Sequence, residues 1–208
     1  VPGVGFVICR CDALEAANDA PEEISTIANL MLAPPMPFIP EKAHGKPVLM
    51  GMLAGVGPMD QLQAALAPFR ELGEPYADMV RQMRYPEMYE GEGPPVRNGA
   101  GTNFFADALD PADAATILEQ LQRSTAMMSA VQLRVLGGAL ARVPNDVTAF
   151  AHRDRGLFVN IAALYMDPGE QDTHDSWVAG VADSLGKDEA GGYIGFLGEE
   201  DEGTVRAA

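Results

Sequence analysis

Apolar residues along this chain recur with two different periods, and the switches between them lay out a series of strands and helices. From Thr26 to Ala33 they alternate loosely through Ile27, Leu30 and Leu32, until Pro34-Pro35-Met36-Pro37-Phe38-Ile39-Pro40 brings in residues that no helix or central strand can hold. A strand running into a rigid extended loop is predicted. Pro47 to Val56 is a continuous apolar run of strand length, Gly57-Pro58-Met59-Asp60 turns the chain, and Leu62, Leu66 and Phe69 then recur at helical spacing within Gln61 to Leu72. Asp110-Pro111-Ala112-Asp113 starts a further helix, with Asp as the cap and proline at the first helical position, and it continues through Ile117, Leu118 and Leu121 to about Arg123. Ser129 to Leu136 sets Val131, Leu133 and Val135 against Gln132 and Arg134, the cleanest half-buried strand in the chain. Leu157 to Met166 reads as another strand, ended by Asp167-Pro168-Gly169. Gln171 to Leu185 reads as a helix that carries the only tryptophan, Trp177, and is closed by Gly186-Lys187.

Weaker patterns fill the gaps. Tyr76 to Met83 suggests one or two helical turns, and Tyr85 to Glu90 with the Gly- and Pro-rich Gly91 to Gly101 reads as the longest irregular region, of a length that tends to be functional or mobile. Gly191-Gly192-Tyr193-Ile194-Gly195-Phe196-Leu197-Gly198 reads as a short aromatic strand, and Glu199-Glu200-Asp201-Glu202 as a solvated acidic face that opens a final helix. No repeat and no low-complexity linker divides the chain, so residues 1–208 are expected to form a single domain. Strands with intervening helices, and no phosphate-cradling glycine motif, predict the α+β class: an antiparallel β-sheet covered on one face by α-helices.

Composition narrows the partners. Of 208 residues, 47% are hydrophobic and 21% charged, enough apolar material for a real core. Thirty acidic against fourteen basic side chains give a net charge of -16, which repels phosphate backbones and anionic lipid surfaces, so nucleic acid is not an expected partner. Cys9 and Cys11 make neither a disulfide framework nor a zinc site, whose other half is missing because His44, His152 and His174 show no ligand spacing. No apolar run reaches membrane-spanning length and the first residues carry no secretory signature, so a cytoplasmic location is expected. A chain that begins at Val1 and runs out at Val205-Arg206-Ala207-Ala208 is expected to be a piece of something longer.

The densest stretch of special residues is Gly137 to Arg153. It holds a glycine pair, the turn residues Pro144-Asn145-Asp146, a buried-looking Thr148-Ala149-Phe150 and the dipeptide His152-Arg153, directly before the strand from Leu157. No P-loop, dinucleotide fingerprint, nucleophile elbow or His-Glu-x-x-His motif occurs, so the chemistry consists of pieces. His152 is either a general base or a structural donor, the second reading being favoured, and Arg153 either pairs with an acid or meets a ligand. Asn160 is the one polar residue in the middle of an apolar strand and needs hydrogen-bond partners, from backbone or from ligand. Tyr193 and Phe196, flanked by glycines, either pack in the core or stack on a flat ligand. Tyr165 and Phe158 read as core, and the eleven methionines as gap fillers or as the lining of an adaptable apolar pocket.

Taken in order, Pro35-Met36-Pro37-Phe38-Ile39-Pro40-Glu41 with His44-Gly45-Lys46-Pro47, Leu66-Ala67-Pro68 with Leu72-Gly73, Gly137-Gly138-Ala139 with Arg142-Val143, Thr148-Ala149-Phe150 with His152-Arg153, and Gly192-Tyr193 with Phe196-Leu197-Gly198 form a series. In that order and spacing the chain resembles bacterial FAD-linked oxidases of the berberine-bridge-enzyme-like group, over most of its length. The resemblance implies the substrate-binding domain and the beginning of the C-terminal segment of a two-domain flavoenzyme, whose antiparallel sheet roofs the isoalloxazine of FAD. A base on that sheet accepts a proton from an alcohol or amine while hydride passes to the flavin.

The same resemblance implies that Asn160 falls near the position where relatives place a Glu or Gln base, although an amide is no base at neutral pH. Tyr193 matches the tyrosine of a Tyr-x-Asn motif whose asparagine is Gly195 here. It further implies catalytic roles for Asn160 and Tyr193, flavin contact for Tyr193 and Phe196, and substrate contact for His152, Arg153 and Phe158. The implied partners are a small-molecule substrate and a flavin-binding domain that this stretch does not contain, so FAD is the implied cofactor without its main binding domain. The rival reading is a stand-alone module for small-ligand binding or dimerisation, with self-association through the sheet face.

Overall fold

The computed structural model describes residues 3–4, 13–89, 98–185 and 192–196. In chain order it runs β1 (Gly3–Val4), α1 (Ala13–Asn18), β2 (Ile24–Leu32), β3 (Pro47–Gly55), α2 (Met59–Glu71), β4 (Arg81–Gln82), β5 (Asn98–Ala106), α3 (Pro111–Arg123), β6 (Met128–Val135), α4 (Gly138–Ala141), β7 (Leu157–Tyr165) and α5 (Gln171–Ser184), with short 3-10 turns between some of them. Five strands form one sheet in the order β3-β2-β6-β7-β5, every neighbouring pair antiparallel, and β1 pairs with β4 apart from it.

Strand register divides the sheet into two faces because side chains alternate along each strand. Val131 and Leu133 on β6, Leu157, Val159, Ile161, Ala163 and Tyr165 on β7, and Ala100, Phe104 and Ala106 on β5 share one face. They form one core with Ile117 and Leu121 of α3 and Val178, Val181 and Leu185 at α5. Toward the other edge Ile24 and Leu53 continue that face and pack on Leu62, Leu66 and Phe69 of α2. Burying a side chain such as Ile161 or Leu121, both fully enclosed, contributes about 1.5–3 kcal/mol, so this helix-covered face carries most of the fold. The expected α+β architecture is what the chain forms.

Helix α3 starts as its sequence announces. Asp110 Oδ1 accepts from the Ala112 and Asp113 amides at 2.7 and 2.9 Å, and Asp113 Oδ2 returns the bond to the Asp110 amide at 2.9 Å. The proline loop after β2 folds over one corner of the opposite sheet face, where Ile39 joins Met31, Ala33 and Val48 in a small cluster, and His44 Nε2 lies 3.0 Å from the Ile39 carbonyl. On the helix side His174 is enclosed against Tyr165, with ring centroids 4.5 Å apart.

Five expectations need correction. Residues 76–83 hold no helix and only the two-residue strand β4, because Asp78 Oδ1 accepts from the Val80 amide at 3.0 Å while Arg70 holds its other oxygen at 2.8 Å, a local bond that competes with helix. The region read as irregular up to Gly101 instead contains the first half of a nine-residue strand, β5. Gly99 and Gly101 hid its alternation, and they suit the place: a Cβ on Gly101 would lie 3.2 Å from the Ile161 carbonyl oxygen. The segment at Tyr193 is a 3-10 turn (Ile194–Phe196), closed by a 3.0 Å bond from the Phe196 amide to the Tyr193 carbonyl. Its other backbone partners are a side chain and not a strand. Thr148 and Ala149 are exposed, and only Phe150 of that trio is partly buried. Helix α2 begins two residues earlier than expected, at Met59.

Readings placed on Cys9, Cys11, Glu90 to Arg97, Gly186-Lys187 and everything from Leu197 onward lie outside the described residues. Among the described residues no helix is long and apolar enough to cross a membrane, and no cluster of His, Cys, Asp and Glu is arranged to hold a metal ion.

Candidate functional site

The sheet face away from the helices carries a row of amides. Register sets Asn29 of β2, Gln132 of β6, Asn160 of β7 and Asn103 of β5 side by side across four strands. Gln132 Nε2 donates to Asn29 Oδ1 at 3.0 Å, and Asn29 Nδ2 donates to the Met50 carbonyl of β3 at 3.2 Å. On one side of this row lie Ala130, Ala162 and Gly101, which leave a low floor. On the other lie Arg134, Phe158 and Phe105. Asn160 is half-buried and makes no side-chain hydrogen bond among the described residues, in contrast to Asn29, Asn103 and Gln132.

An aromatic cluster closes one end of the face. Phe158 packs against Phe105 (5.1 Å between centroids), Phe196 (5.5 Å) and Tyr193 (6.3 Å), and Phe150 stands edge-on to Phe105 and Tyr193, each at 5.9 Å. His152 stacks flat on Phe105 at 4.1 Å and 16°. Burial there holds its imidazolium below the usual range, nearby Arg155 adds to the effect, and Asp154 opposes it. A neutral imidazole stacked on a phenyl ring serves as packing as much as chemistry.

The loop before β7 reaches this cluster because glycine lets it. Gly138 has φ +50°, a left-handed conformation that an L side chain rarely takes, and a Cβ there would meet Glu22 at 3.1 Å. Arg142 pairs with the same Glu22. Arg153 ties the loop to itself: its amide donates to Asn145 Oδ1 at 2.9 Å, its guanidinium to Thr148 Oγ1 at 2.6 Å and the Leu140 carbonyl at 3.4 Å, and its Cζ lies 5.3 Å from the Phe150 centroid.

The expected site residues therefore share one region. Phe158, Tyr193 and Phe196 touch, His152 joins through Phe105 and Phe150, and Asn160 lies two residues along β7 from Phe158 on the same face. Arg153 sits behind the cluster in the loop, and Phe158, read from its pattern as core, is indeed buried, on the amide-bearing side of the sheet. Tyr193 and Phe196 stay 40% and 37% exposed, which leaves their outer surfaces for a ligand.

Several residues of this face went unrecognised. Asn103 sits on the strand that the glycines concealed, and it holds Tyr193 from both sides: the Tyr193 amide donates to Asn103 Oδ1 at 2.5 Å, and Asn103 Nδ2 donates to the Tyr193 carbonyl at 3.4 Å. Arg134 and Gln132 were visible as the polar half of an alternating strand, and that alternation was the signal that they share a face.

No protein-family model matches the chain. An uncharacterized FAD-linked oxidoreductase of Bacillus subtilis (strain 168), YgaK, is 28% identical over 146 residues, which is 68% of this chain and 32% of that protein. Among solved structures, a chitooligosaccharide oxidase superposes with a TM-score of 0.71 at 16% identity, over 97% of this chain and 47% of its own. The chain shares the fold of BBE-like FAD-linked oxidases. BBE-like 28 from Arabidopsis thaliana gives a TM-score of 0.68 at 16% identity, over 96% of this chain and 48% of its own, and aclacinomycin oxidoreductase gives 0.67 at 16%, over 95% and 46%. The chain thus spans about a third of its curated relative and about half of each BBE-like structure. The fold shared with these structures is a sheet with helices on one face and the amide row on the other.

Proposed function

We propose that this chain supplies the substrate-facing sheet of an FAD-dependent oxidoreductase that oxidises an alcohol or amine. The observation that carries the reading is the open face itself: a row of amides, one of them without a side-chain hydrogen bond among the described residues, beside partly exposed aromatic rings on a sheet whose other face is sealed by helices. An unbonded amide on a half-buried surface has donor and acceptor capacity to give to a ligand. The residues present fit the flat ring end of a flavin, with Tyr193 and Phe196 as its contacts, and when bound FAD supplies the hydride acceptor.

Within this reading Asn160 orients the substrate's hydroxyl or amine by hydrogen bonding, and being an amide it does not take up the proton. The Tyr193 hydroxyl, which is partly exposed, is the group assigned to relay that proton, passing its own to solvent as it takes up the substrate's, and Asn103 is a positioning residue because it acts only through the Tyr193 backbone. His152, Phe158 and Arg153 shape the wall on which the substrate rests. Names among the structural neighbours include a chitooligosaccharide oxidase and a pollen allergen with glucose dehydrogenase activity, which favours a hydroxyl-bearing substrate over an amine.

The test is a titration of the isotope-labelled chain with riboflavin 5'-phosphate, followed by two-dimensional NMR. Shift changes gathered on Gln132, Asn160, Tyr193 and Phe196 are expected. Changes confined to the helix-covered side, or none up to millimolar flavin, would overturn the assignment of the open face.

A further inference from the structure

Eight arginines lie among the described residues, and six of them pair with carboxylates: Arg70 with Asp78, Arg81 and Arg84 with Glu87, Arg123 with Glu119, Arg142 with Glu22 and Arg155 with Asp107. Arg134 and Arg153 do not. Arg153 bonds within its own loop through Nη1 and Nη2, and its Nε is buried without a partner among the described residues. Arg134 stands on the open face in the strand next to Asn160, half-buried, and its only hydrogen-bond acceptor among the described residues is a neutral amide, Gln132 Oε1, which takes Nε at 3.1 Å and Nη2 at 2.7 Å. In a chain of net charge -16, a half-buried cation that has no carboxylate partner among the described residues is out of the ordinary.

The guanidinium is held in a defined pose. Its Cζ lies 4.8 Å from the Phe196 ring and 5.8 Å from the Phe158 ring, so two aromatic faces fix its plane. Gln132 is fixed in turn by donating to Asn29, and Asn29 by donating to the Met50 carbonyl. This relay runs across three strands in one direction and leaves Gln132 with its oxygen toward Arg134. Of five guanidinium N–H groups, two are used on that oxygen, and the three that remain are at Nη1 and the outer side of Nη2, the end-on fork that matches a carboxylate. Burial lowers the affinity of Arg134 for its proton, which an anion would reverse.

We propose that Arg134 is the anion-recognition residue of the open face, and that the ligand bound there carries a carboxylate. The inference rests on the reading of this face as the ligand side of the sheet, and it adds the ligand's charge. A planar monoanion matches both the fork and the neighbouring phenyl rings, whereas a multiply charged phosphate is opposed by the field of the whole chain.

The experiment compares benzoate with benzamide, which share shape and differ in charge, as ligands of the full 208-residue chain, with affinities read from NMR titration. Benzoate is expected to bind about tenfold more tightly or better, as a charge-assisted bidentate contact exceeds a neutral one, with the Arg134 Nε and Asn160 side-chain signals shifting. Arg134→Gln should bring benzoate down to the level of benzamide, and Arg134→Lys should restore part of the difference. Raising the salt concentration on the unaltered protein should narrow the difference as well, a readout that needs no variant to fold. Equal binding of the two ligands on the open face, or a preference that survives in Arg134→Gln, would overturn the carboxylate assignment and leave the face as a ligand site. Absence of any shift on the open face with either compound would overturn both.

Discussion

Asn103 is where the site depends on a single side chain, and replacing it by leucine, of similar volume, tests that dependence. The turn around Tyr193 is held by the two Asn103 bonds and by ring contacts at 5.5–6.3 Å to Phe158 and Phe150, with no strand ladder among the described residues. The 2.5 Å bond belongs near the upper end of the usual net range, about 1.5 kcal/mol, and the 3.4 Å bond near the lower end, about 0.5 kcal/mol. Together they hold the turn by about 2 kcal/mol, roughly thirty-fold in the local opening equilibrium. Amide hydrogen exchange at Tyr193 should therefore quicken by about that factor in Asn103→Leu, while the amides of Val159 and Ile161 in β7 keep their protection. Unchanged exchange at Tyr193 would mean that the rings alone hold the turn, and Asn103 would lose its positioning role.

Two further outcomes follow from the same geometry. Because burial disfavours the His152 imidazolium, its folded-state pKa lies below that of the unfolded chain, so the unfolded state binds more protons near neutrality and stability falls as the solution is acidified. The His152 titration midpoint by NMR should lie below the ordinary 6.5, and His152→Phe should lose less stability than the parent between pH 7 and pH 5; an equal loss would refute this. At the mouth of β7, a Cβ on Gly156 would lie 2.4 Å from the Asp107 carbonyl oxygen, so Gly156→Ala should cost about 1–3 kcal/mol in a denaturant melt, with an unaltered midpoint counting against the contact.

The elements that were legible in the sequence are those whose two faces differ. β6 alternates Val131, Leu133 and Val135 with Gln132 and Arg134, and α3 opens on Asp110-Pro111, so each announces itself locally. β5 does not, because Gly99 and Gly101 contribute no side chain to either face and the strand is specified by its partner β7. The site was legible to the same extent. Asn160, Phe158 and Tyr193 could be named from residue type and family resemblance, but the relay from Met50 to Arg134 joins residues as far as 103 positions apart and exists only in the register of the sheet. The turn at Tyr193 was misread as a strand because its backbone partner is a side chain ninety residues away.

The separation of the two sheet faces also bears on how such a protein can change. Residues that set the open face and those that pack the helices alternate along β6 and β7, so Gln132, Arg134, Phe158 and Asn160 can drift while Val131, Leu133, Val159 and Ile161 stay fixed. Ligand preference and structural integrity are thereby written on separate positions of the same strands, which lets selection act on the first without consuming the second.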